Sequence, residues 1–66
     1  MIKCPIEIGA LVYDADPYKA PELWFGLGIV IEIINEDHVL VHWIEGNFNY
    51  SINIGFLEVV NEIQDR

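Results

Sequence analysis

Gly28-Ile29-Val30-Ile31-Glu32-Ile33-Ile34-Asn35-Glu36-Asp37-His38-Val39-Leu40-Val41-His42-Trp43-Ile44 is the stretch that decides the fold. Two runs rich in β-branched residues flank Asn35-Glu36-Asp37-His38, which has turn chemistry. Neither run holds a helical period, so the spacing predicts a hairpin with strands over residues 29–34 and 39–44. Side chains two apart share a face. Ile29, Ile31 and Ile33 form a wholly apolar row, as do Val39, Val41 and Trp43. Those rows are expected in the core. The opposite rows carry Val30, Ile34, Leu40 and Ile44 around Glu32 and His42. An outer face that apolar predicts an interface, most simply between copies of the chain. Two registers keep the core rows together, and one of them pairs Glu32 with His42.

Working outward, Ile6, Ile8, Ala10 and Val12 alternate with Glu7, Gly9, Leu11 and Tyr13, which predicts a first strand. Residues 14–24 hold Pro17, Pro21, Asp14, Asp16 and Glu22, a long loop stiffened at two fixed φ angles. After Ile44, Glu45-Gly46-Asn47 is a turn and residues 48–52 a fourth strand. Asn53-Ile54-Gly55-Phe56 suggests one tight 3₁₀-type turn before a short fifth strand over residues 57–60. Residues 61–66 read as a polar tail. The expected core is Ile8, Val12, Ile29, Ile31, Ile33, Val39, Val41, Trp43, Tyr50, Leu57 and Val59.

The chain has 66 residues, so it holds at most one domain. Its hydrophobic fraction of 53% is too high for a disordered segment. Eleven acidic residues face three lysines and arginines, for a net charge of -8. Lys19 is the only lysine or arginine between Lys3 and Arg66, so no patch can track phosphates. Direct nucleic-acid binding and docking on anionic membranes are excluded on that ground. A single cysteine, Cys4, leaves no internal disulfide. No apolar run approaches the ~20 residues of a membrane span, and no leader pattern is visible. A cytoplasmic location is expected, in a host cytoplasm or a virion if the gene is a phage's.

Several segments resemble a known family. Gly9-Ala10-Leu11-Val12 resembles the opening strand of small SH3-like barrels of the Tudor and KOW kinds. Gly28-Ile29-Val30 with Val39-Leu40-Val41-His42-Trp43 resembles their central hairpin, and Leu57-Glu58-Val59-Val60 their closing strand. The set also resembles small uncharacterised proteins of tailed bacteriophages. The resemblance implies an all-β, five-stranded SH3-like barrel over about residues 6–60, with residues 61–66 as a tail, as one domain. It does not carry a function, because such barrels host many. The nucleic-acid role of KOW-like modules does not transfer to so acidic a chain.

Candidate sites are few. Cys4, His38 and His42 could suggest a thiol and a base, but no local nucleophile motif surrounds Cys4. On a strand His38 and His42 would stand ~13 Å apart, too far to chelate one ion. Asp14, Asp16 and Glu22 could gather round a hard cation, though a solvated acidic loop is favoured. No metal, cofactor or catalytic residue is therefore assigned. Tyr13, Trp24, Phe25, Trp43, Phe48 and Tyr50 could line a cage for a cation beside Asp14, Asp16 and Glu45. Core and loop packing is the favoured reading of these aromatics.

By elimination, the sequence points to a small acidic, non-enzymatic interaction module, an accessory protein of a phage or bacterium. A virion component, or a nucleic-acid mimic that inhibits a DNA-binding enzyme, are the alternatives. The expected partner surface is Asp14, Asp16, Glu22 and Trp24, a stiff acidic loop with a tryptophan anchor, suited to a basic protein. The expected self-association surface is Val30, Ile34, Leu40 and Ile44.

Overall fold

The computed structural model describes residues 4–60. Five strands form one antiparallel sheet in the order β4-β3-β2-β1-β5. They are β1 (Leu11–Asp14), β2 (Leu27–Ile33), β3 (His38–Trp43), β4 (Phe48–Asn53) and β5 (Leu57–Val59). One 3₁₀ turn, Pro21–Leu23, lies in the loop between β1 and β2, and a second, Ile54–Phe56, joins β4 to β5. The chain is all-β, as the residue pattern predicts. The expected barrel is not closed, because β4 and β5 are the two margins of the sheet. The expected tail, residues 61–66, lies outside the described residues.

Turn chemistry places the strand ends. Asn35 Oδ1 accepts from the amides of Asp37 (2.8 Å) and His38 (2.9 Å), which closes the β2–β3 connection. Asn47 takes a left-handed φ of 57° in the β3–β4 turn, and its amide donates to Trp43 O at 2.8 Å. Asn53 Oδ1 accepts from Gly55 N at 2.7 Å and starts the second 3₁₀ turn. The first strand is shorter than its alternation suggests. Gly9 has φ 94° and turns the chain, so residues 6–10 are not strand and β1 begins at Leu11. Ile8 is 62% exposed as a result, whereas Ile6 is buried.

The central hairpin corrects the expected core row. Val30 pairs with Val41 and Glu32 with Leu40, so Ile31 is the extra residue of a β-bulge. One extra residue reverses the facing of everything before it relative to everything after it. Gly28 and Val30 therefore share the inner face with Ile33, while Ile29 falls on the outer one and Ile31 is exposed. The expected parity holds only next to the turn, where Ile33 opposes Val39 and Glu32 opposes Leu40; before the bulge it is lost, and Glu32 does not oppose His42. The buried core is Ile6, Val12, Val30, Val39, Val41, Trp43 and Ile52. Ile33 and Leu57 pack against it, but Tyr50 and Val59, also expected there, lie on open margins and are exposed.

Gly28 marks a close approach. A Cβ there would stand 2.7 Å from Trp43 Cε3 and closer still to Val41 Cγ1. The indole of Trp43 thus lies over bare backbone, and its Nε1–H donates to Tyr50 O at 3.3 Å.

Gly28→Ala should lower stability by about 2 kcal/mol through overpacking, read as a lower urea midpoint. Val30→Ala should cost about 2 kcal/mol as a core truncation, and Ile31→Ala less than half of that. The reverse order for the last pair would restore the unbulged register.

Candidate functional site: a clamped acidic loop and the groove beside it

The chain between β1 and β2 is organised by one carboxylate. Asp14 ends β1 on the same face as Val12 and is 1% exposed. Its Oδ2 accepts from Lys19 Nζ and from the amide of Phe25, each at 2.8 Å. Its Oδ1 accepts from the amide of Asp16 at 3.2 Å. Both ends of the loop and its middle are therefore fastened to one side chain. A buried carboxylate is tolerated only when paired and hydrogen-bonded, and here both conditions hold. The Lys19 ammonium also sits 3.7 Å from the centroid of the Phe25 ring.

Further contacts set the loop's shape. Asp16 Oδ1 accepts from Tyr18 N (2.9 Å), and Pro21 opens the 3₁₀ turn with its φ already fixed. Trp24 Nε1–H donates to Asp16 O at 2.9 Å, which ties the exit of the loop to its entrance. Phe25 then enters an aromatic cluster, with ring centroids 5.0 Å from Trp43, 5.3 Å from Phe48 and 5.6 Å from Tyr50. Tyr18 meets Phe56 edge-on at 5.9 Å, and Ala15 N donates to Phe56 O at 2.7 Å. The loop is thereby held against the second 3₁₀ turn.

An open groove of about 520 Å³ runs between this loop and β4. Its walls include Asp16 and Phe25 from the loop side, Tyr50 and Ile52 from β4, and Phe56 from the second 3₁₀ turn. Lys19 also lines it, but its charge is matched by Asp14.

The expected residues fall in different places. Asp14, expected on the partner surface, is buried and acts as the clamp. Asp16 reaches the groove, and Glu22 is exposed on the 3₁₀ turn. Trp24 is 38% exposed and braces the loop through its indole N–H. Of the expected self-association residues, Val30 is fully buried, Leu40 is half-buried, and Ile34 and Ile44 are exposed. The burial of Val30 follows from the bulge.

Asp14, Asp16 and Glu22 do not gather round a common point. Among the described residues no group of three or more His, Cys, Asp or Glu side chains could hold a metal ion. His42 Nδ1 and Asn49 Oδ1 lie 2.7 Å apart on the outer face. Phe25, Trp43, Phe48 and Tyr50 do cluster, and the cation beside Phe25 is the chain's own Lys19.

Sequence reasoning missed Lys19, Phe56 and the bracing role of Trp24. One signal was available. A lone lysine five residues after an aspartate, in a loop of acids and prolines, has an internal partner close at hand.

No helix among the described residues is long and apolar enough to cross a membrane. Comparison with protein-family models, curated proteins and solved structures gave no match.

Asp14→Ala should cost about 3 kcal/mol, because it strands two half-buried amides and unpairs Lys19. Lys19→Met keeps the stem over Phe25 but leaves the buried carboxylate without its counter-ion, and should also cost about 3 kcal/mol. Urea unfolding measures both. A loss under ~0.5 kcal/mol for Asp14→Ala, the range of ordinary surface changes, would contradict the clamp.

Proposed function

We propose that this chain is a small, acidic, non-enzymatic interaction module that holds a basic segment of a partner protein in the groove between the β1–β2 loop and β4. The groove carries the reading. It is lined by Phe25, Ile52 and Phe56, carries Asp16 on one wall, and is bounded by a loop that is already fixed. A fixed wall loses little conformational entropy on binding. The net charge of -8 favours encounter with a basic partner. The strand order and the 3₁₀ break before β5 support kinship with small SH3-like proteins, here with an open sheet. We place the chain with accessory proteins of a phage or bacterium that act in the cytoplasm.

The test is capture from a lysate of the producing cell. The native chain should retain a basic protein, with retention falling as ionic strength rises past ~0.15 M. Trp24→Ala, which removes the brace across the loop, should lose at least about tenfold in affinity, equal to 1.4 kcal/mol. Retention of only neutral or acidic partners, insensitive to salt, would contradict the reading. So would a hydrolase or transferase activity in the pure protein.

A second reading is self-association through the outer face, favoured by the exposed side chains of Ile31, Ile34 and Ile44. Leu40→Asp should then lower the mass in sedimentation. A native chain that stays monomeric at high micromolar concentration would contradict it.

A further inference from the structure

β4 is a marginal strand, and its backbone polarity can be worked out. Ile44 N donates to Leu27 O and Ile34 N donates to His38 O. In an antiparallel ladder, alternate residues of a strand turn their N–H and C=O to opposite sides. His38, Leu40 and His42 of β3 therefore face β2, and Val39, Val41 and Trp43 face β4. Their partners Ile52, Tyr50 and Phe48 use their groups on β3. Asn49 and Ser51 are left with N–H and C=O directed away from the sheet. No strand among the described residues pairs with that side of β4.

An edge of this kind is a template for a further strand. It adjoins the groove, since the run from Tyr50 to Asn53 lines it. A strand laid along β4 would put every second side chain over Tyr50, Ile52 and the loop, and the alternate ones over the outer face. Charge selects the occupant. Lys19 is the only lysine or arginine among the described residues, and it is already paired with Asp14. Asp16 lines the groove, and Asp37 abuts the end of β4, where its carbonyl accepts from Ile54 N at 2.8 Å. A second copy would bring the same negative charge to this edge. A lysine- or arginine-rich segment would offset it.

We propose that a basic, extended segment of a partner protein binds by adding a strand to the β4 edge, through the outward N–H and C=O groups of Asn49 and Ser51, with alternate side chains in the groove. This mode deepens the function proposed above and rests on it. Main-chain pairing gives such a site affinity for extended peptides, and the groove and charge give it selectivity.

The probe is the synthetic peptide acetyl-Lys-Val-Arg-Val-Lys-Tyr-Lys-amide, titrated into the native chain by calorimetry and by amide NMR. Two N-methylated forms accompany it, each blocking one alternate set of peptide amides. The parent peptide should bind and slow amide exchange at Asn49 and Ser51. One N-methylated form should bind about tenfold more weakly or worse, and the other within about twofold of the parent. Ser51→Pro removes one outward N–H and leaves the β3 ladder intact, so it should fold and lose the peptide. Equal affinity for both N-methylated forms would overturn strand addition while leaving a basic-segment site standing. Failure of all three peptides to bind would overturn strand addition together with the function it rests on. A native dimer that Ser51→Pro dissociates would make a second copy the occupant, and would also overturn it.

Discussion

A buried carboxylate at the end of β1 is the constraint on which the rest of this structure depends. Asp14 has no access to water, so its charge must be matched inside the protein. The chain supplies one ammonium, Lys19, and two backbone amides, those of Asp16 and Phe25. Satisfying one oxygen pair fixes three points of the β1–β2 connection. Phe25 is then delivered into the aromatic cluster with Trp43, Phe48 and Tyr50, and the loop becomes one wall of the groove. A chain with no disulfide and a small core gains from such a fastening, because short domains bury too little apolar surface to stand on packing alone.

The second constraint is steric. Trp43 lies over Gly28, where there is no room for a side chain. The large indole therefore needs a bare stretch of β2 beneath it, and Gly28 must face inward. Ile33, near the far end of β2, also packs on the core. Gly28 and Ile33 are five apart, an odd spacing that a regular strand cannot place on one face. The bulge at Ile31 resolves the conflict. It also sets the composition of the outer face, since it puts Val30 inside and leaves Ile31 outside.

The elements of the fold were legible because turns and strands carry local chemistry. Asn35, Asn47 and Asn53 each stand where a turn needs them, and the 3₁₀ break at residues 54–56 follows from Asn53 and Gly55. The facing of β2 was not legible. Residues 29–31 are all β-branched and apolar, so no polar side chain marks a change of parity. Gly28 opposite a tryptophan was the available sign, and it is visible only once the register is known. Asp14 was misjudged for a related reason. Its spacing from Val12 puts it on the inner face, while its charge and the proline loop after it argue for the surface. Long-range pairing with Phe25 N decided the matter, and an amide partner eleven residues away leaves no trace in side-chain composition. Of the candidate site, Asp16 was found in the groove as an acidic wall, whereas Phe56 was visible only as part of a turn.

The proposed function rests on the same fastening. A loop held at three points offers a fixed wall, and the margin of the sheet offers unpaired backbone beside it. Amide hydrogen exchange at Phe25, followed by NMR in the native chain, is the most direct test that Asp14 holds the loop. The amide of Phe25 should exchange as slowly as those of Val39 and Val41 in the sheet, because opening it requires release of the buried carboxylate. Exchange as fast as at the exposed Glu22 would contradict the clamp, and with it the fixed wall of the groove.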